Sequence, residues 1–147
     1  MFFVAMVTRR LRKGKSYEDF RKAWFHKTGF GGSSKFYTMI NIFDPNEIIV
    51  MSIMETEIEK FKEQLEIEIK ERLESSLDDI IEPDIERKFG LLVSEDDFSA
   101  SGSNDYKPAS ISGNETNFEQ FRSDLQQIAS LIQAAAQKRD SLKNKKS

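Results

Sequence analysis

His26 is the single histidine in the chain and the side chain whose ordinary pKa would let it pass a proton near neutrality. Its position argues both ways. At about 100° per residue it lies about 160° from Trp24, on the flank of its helix away from the apolar stripe. It reaches a pocket only where the helix ends or turns at residue 25 or 26, and otherwise it is a surface or capping histidine. Asn41 is polar in the middle of an apolar strand, between Ile40 and Ile42. A buried amide must be hydrogen-bonded, so Asn41 serves either a ligand or a backbone group. Trp24 sits in its helix's apolar stripe, where packing competes with ligand contact. Tyr37 and Arg9 can line a pocket between sheet and helices, or be purely structural.

Other chemistries lack their residues. There are no cysteines, which removes disulfides, thiolate metal sites and a cysteine nucleophile and fits a reducing compartment. The sequence has no glycine-rich phosphate loop, no metal-ligand cluster and no nucleophile-histidine-acid constellation. Hydrophobic content of 38%, charged content of 32% and a net charge of −3 describe a water-soluble protein with no polyanion partner implied. The opening apolar stretch is short and is followed, not preceded, by Arg9 and Arg10, the wrong order for a secretory signal. No run approaches the roughly 20 apolar residues of a membrane span. The expected compartment is the cytoplasm.

The elements that must position these residues follow from periodicity. Residues 2–9 read as a strand apolar on both faces. Lys13-Gly14-Lys15 makes a turn, and Ser16 with Asp19 opens a helix carrying Tyr17, Phe20, Ala23 and Trp24 on one side, with Gly29 as its stop. Residues 35–43 and 48–54 are two more strands, joined through an expected turn at Asp44-Pro45-Asn46-Glu47. Thr56 and Glu59 open a long helix striped by Ile58, Phe61, Leu65 and Ile69. That spacing of four drifts round the helix, so a bend or break is expected near Ser75-Ser76, with a short second helix before Pro83. Residues 85–93 alternate as a fourth strand through Ile85, Phe89, Leu91 and Val93. From Ser94 the composition turns to Ser, Gly, Asn and Asp. The domain is therefore drawn at 1–98, a flexible linker at 99–115 and an amphipathic helix at 116–143. In that helix Phe118, Phe121, Leu125, Ile128, Ile132 and Ala135 take heptad spacing, as for contact with a partner helix.

The fold class is thus α+β, with a ferredoxin-like β-α-β-β-α-β order. In such a sheet both helices occupy one face, and a solvated opposite face would alternate apolar with polar residues. The first three strands do not alternate, so the open face must be covered. A homodimer packed sheet to sheet covers it; the C-terminal helix folding back is the alternative.

In this arrangement the chain resembles the dimeric α/β-barrel superfamily, with its EthD-like and antibiotic-biosynthesis-monooxygenase-like members. The segment RRLRKGKSYEDFRKAWFHKTGFG carries the likeness, through Gly14, Ser16, Glu18 and Phe20, then Trp24 and His26. Trp and His stand closer together than in the usual pattern, and the segment after His26 is rich in glycine. The resemblance implies His26 as acid/base and Trp24 with Asn41 beside a small aromatic compound. It further implies oxidation or cyclisation with no cofactor, neither metal nor flavin. A non-catalytic dimerisation or interaction module competes with this reading. RNA binding on the same strand order is disfavoured, because the third strand carries no aromatic on which a base could stack. Residues 9–35 are basic and 55–86 acidic, a polarity that could steer an anionic ligand toward the first helix or leave two solvated faces.

Overall fold

Residues rich in β-branched and aromatic types form the strands where the sequence places them, and the sheet they build decides which side chains face inward. The computed structural model describes residues 1–24, 32–74, 76–83, 86–108 and 118–146, without the side chains of 118–121 and 146. In chain order the elements are β1 (Phe2–Arg10), α1 (Tyr17–Ala23), β2 (Ser34–Asn41), β3 (Asp44–Glu55), α2 (Ile58–Glu74), β4 (Glu86–Leu91), β5 (Ser94–Asp97), β6 (Asp105–Pro108) and α3 (Phe118–Lys146). The protein is α+β. Its main sheet has four strands in the order β2-β3-β1-β4, and every neighbouring pair is antiparallel.

Register fixes the faces. Phe3 pairs with Met54 and Leu91, Ala5 with Ser52 and Phe89, Val7 with Val50 and Arg87, and Arg9 with Ile48. Paired residues point to one side of the sheet, so Phe3, Ala5, Val7 and Arg9 share a face with Ile48, Val50, Arg87 and Phe89. That face is the covered one. Phe20 of α1 joins Ile48, Val50, Leu11, Leu77 and Ile81 in one core cluster. Phe61 of α2 meets Phe3 with ring centroids 4.7 Å apart, and Ile128 of α3 completes that second cluster. α3 therefore lies beside α2 on the covered face, and Lys138 Nζ reaches Glu66 at 3.4 Å. It does not cover the open face.

Several boundaries differ from expectation, each for a local reason. α1 begins as expected at Ser16, whose backbone N–H donates to Asp19 while Asp19's N–H donates back to the Ser16 hydroxyl. It ends at Ala23, with Trp24 as its C-cap; the expected stop at Gly29 lies outside the described residues. The hairpin turn falls on Ile42-Phe43 rather than on 44–47, and Asn41 pairs with Asp44 across a register shift. Asn41 Oδ1 accepts from the Phe43 N–H at 2.9 Å, a side-chain turn that tightens the loop ahead of the proline. After α2 the chain makes a turn, with Ile80 and Ile81 N–H groups donating to Leu77, instead of a second helix. Ile81 then bridges to Leu11. Across the boundary drawn at residue 98, β5 from the end of the expected domain and β6 from the expected linker pair as a small hairpin, and Asn104 Nδ2 donates to Asp96 at 2.7 Å.

Candidate functional site

Between the covered face and the helices lies a cavity of about 210 Å³. The strands supply its floor, with Phe3, Ala5, Phe36 and Phe89 among the side chains. α2 supplies Phe61, Gln64 and Leu65, and α3 supplies Ile132 and Ala135. Trp24 closes one side. Its ring stacks on Phe20 at 5.6 Å and meets Phe36 edge-on at 6.3 Å. Above it, 4.3 Å from ring centroid to guanidinium carbon, stands Arg72, an attraction of cation to π-face that orders both groups.

The charged part of the cavity wall, among the described residues, is Glu68 with three arginines, Arg72, Arg87 and Arg139. The same three arginines also line a second, more polar cavity of about 220 Å³, which Arg9 joins. The guanidiniums thus form a partition between an apolar pocket and a polar one. Burial is costly here. It pushes the Arg9 guanidinium down to about 10, helped by repulsion from Arg87, Arg72 and Arg139 and opposed by Glu68. Burial likewise lowers Arg72 and Arg87, with Glu68 opposing in both, Glu71 also for Arg72 and Asp140 for Arg87. Among the described residues the buried Nε of Arg9 and the buried hydroxyl of Ser34 have no hydrogen-bond partner.

A second polar feature is structural. Thr56 and Gln64 are buried polar residues, and the Thr56 hydroxyl donates to the Gln64 amide oxygen. A Cβ at Gly32 would come within 2.8 Å of Gln64 Nε2, so a larger residue there would displace the Gln64 amide.

Of the sequence candidates, Trp24 lines the apolar cavity and Arg9 the polar one. Tyr37 is not in either. It pairs with Met51 on the opposite face of the sheet and is 46% exposed. Asn41 is committed elsewhere: its Nδ2 donates to Glu47 at 2.9 Å, so the amide closes the hairpin instead of facing the cavity. His26 lies outside the described residues, as does the segment that follows it. Among the described residues no group of three or more acidic or histidine side chains is placed to hold a metal, and no helix is long and apolar enough to cross a membrane.

The arginines other than Arg9 escaped the sequence reading, yet each left a trace. Arg87 fills the one polar gap in the alternating set of the fourth strand. Arg72 follows Phe61, and Arg139 follows Ile128, by about three helical turns on the same face. A charge that continues an apolar stripe is the signal. No protein-family model matches the chain, and neither does any curated protein.

Proposed function

We propose that this protein binds a small aromatic compound between sheet and helices, as the resemblance to EthD-like and monooxygenase-like dimeric barrels implies. The observation that carries the reading is the cavity itself: aromatic on several sides, closed by Trp24 and edged with a few polar groups. Its volume of about 210 Å³ suits one substituted ring, since an apolar cavity of about 150 Å³ already admits benzene. The sheet order β2-β3-β1-β4 with helices on one face supports a ferredoxin-like arrangement. Apolar residues on the open face support pairing of two copies. Should the protein also be an enzyme, His26, two positions beyond Trp24 in sequence, is the residue asked to move a proton.

Trp24 is the chain's single tryptophan, so its fluorescence reports directly on the cavity. Titration with single-ring aromatic compounds is expected to give a saturable change in emission, and bulky substitution at Ala135 (Ala135→Phe) is expected to abolish it. No response from any such compound favours the non-catalytic interaction module instead.

A further inference from the structure

We propose that the ligand is an aromatic monocarboxylate, its ring among Phe3, Phe61 and Phe89 and its carboxylate against Arg72, Arg87 and Arg139. This rests on the small-molecule reading above and narrows it to a charge class. Three arginines from three different elements, β4, α2 and α3, reach the wall of one apolar cavity, where among the described residues the only acid is Glu68. Arg9, from β1, adds a fourth guanidinium on the polar cavity behind them, which Asp78, Glu82, Asp140 and Lys143 also line. Like charges gathered in a partly buried place repel one another and lose hydration, so the unliganded site is electrostatically uncomfortable. An anion relieves it. A planar carboxylate also matches the guanidinium fork in shape. Within the group the buried Nε of Arg9 has no hydrogen-bond partner among the described residues, while Arg139 Nε lies 3.7 Å from Asp140 Oδ1. The neighbouring chemistry sets the rest of the ligand: Phe3 packs against both Phe61 and Phe89 on the cavity wall, which gives a ring apolar surroundings while the anionic group meets the guanidiniums. An amphipathic acid is the species that satisfies both, and the cavity's size holds it to about one ring.

The test compares matched ligands on the full-length protein by Trp24 fluorescence. 4-Ethylbenzoate and 4-ethylbenzamide have nearly the same shape and differ in charge. The acid is expected to bind at least ten-fold more tightly, and Arg87→Gln or Arg139→Gln is expected to reduce that preference to within about two-fold. Circular dichroism of the unliganded variants is expected to match that of the natural protein, which shows that they are folded. Equal affinity of acid and amide for the natural protein overturns the carboxylate assignment and leaves the small-molecule reading standing. A preference that survives both substitutions overturns the role given to these arginines. If neither compound binds, both readings fall.

Discussion

At the scale of single residues, the protein places charge where a packed core would do better for stability. Arg9 continues the inward face of β1 beyond Val7 and ends beside three other guanidiniums. Replacing buried charges with apolar groups of similar volume is often stabilising by about 1–4 kcal/mol. Arg9→Met is therefore expected to raise the melting temperature by a few degrees while weakening any anionic ligand. A lowered melting temperature would mean that the Arg9 charge is already compensated. The sign with pH agrees: the Arg9 pKa in the folded chain, about 10, lies below its ordinary value, so its penalty is present throughout the neutral range and eases only as pH rises through 10. Asp19 behaves in the opposite way. The Ser16 backbone N–H, and then its hydroxyl, hold the Asp19 carboxyl below the usual carboxylate range. That contribution is complete above about pH 4 and is lost as pH falls through the lowered value. Asp19→Asn should melt lower than the natural protein at pH 7, with the two curves converging in acid. Ser16→Ala removes the same box and is expected to cost about 1 kcal/mol. Because α1 carries Trp24 at its end, the change should also show in tryptophan emission.

At the scale of elements, the strands and helices were legible because their stripes are strong, and the connections were not. The first strand, the Ser16 cap, the long helix and its end near Ser75 follow directly from hydrophobic period and capping chemistry. The hairpin turn did not. Asp44-Pro45-Asn46-Glu47 reads as a turn by composition, but Asn41 can fold its side chain over Phe43. The loop then closes earlier and leaves Pro45 within β3, beside the turn. The polar pair β5 and β6 escaped because its side chains are mostly exposed. Such a hairpin is held by backbone ladder bonds, which leave no apolar signature to read. The candidate site was half legible: Trp24 and Arg9 stand in cavities, whereas Tyr37 and Asn41 do not. One residue cannot reveal how a strand's register turns it, nor how a neighbouring turn recruits it. The packing of α3 makes an element-scale prediction. Phe61 is fully buried between β1 and α3, so Phe61→Ala should destabilise the protein by about 3–5 kcal/mol. The same change enlarges the cavity, and ligands with a second ring should then be accepted. Loss of stability without this gain would indicate that α3 collapses into the space.

At the scale of the whole molecule, the two faces of the sheet have different fates. Helices α1, α2 and α3 gather on the face that carries Phe3, Ile48 and Val50. The other face holds Val4, Met6, Ile49 and Met51, with Tyr37 and Met39 on β2, and Met6, Tyr37 and Met39 are 40% exposed or more. A contiguous apolar face of this kind is a liability for a solitary chain, and a second copy presents the same surface back to it, as a two-fold interface requires. Under the proposed pairing, Tyr37→Asp places a charge on that face, on its edge strand β2, at little cost to the single chain, since the side chain is already half in water. The expected result is a solution mass that falls from two chains to one, measured by light scattering at fixed concentration. The cavity lies on the far side of the sheet from Tyr37, so the affinity of an aromatic ligand should change by no more than about two-fold. An unchanged mass removes the sheet-to-sheet dimer. A mass that halves together with a collapse of ligand affinity would instead show that the cavity depends on the paired state, and the open face would then belong to the site as well as to the interface.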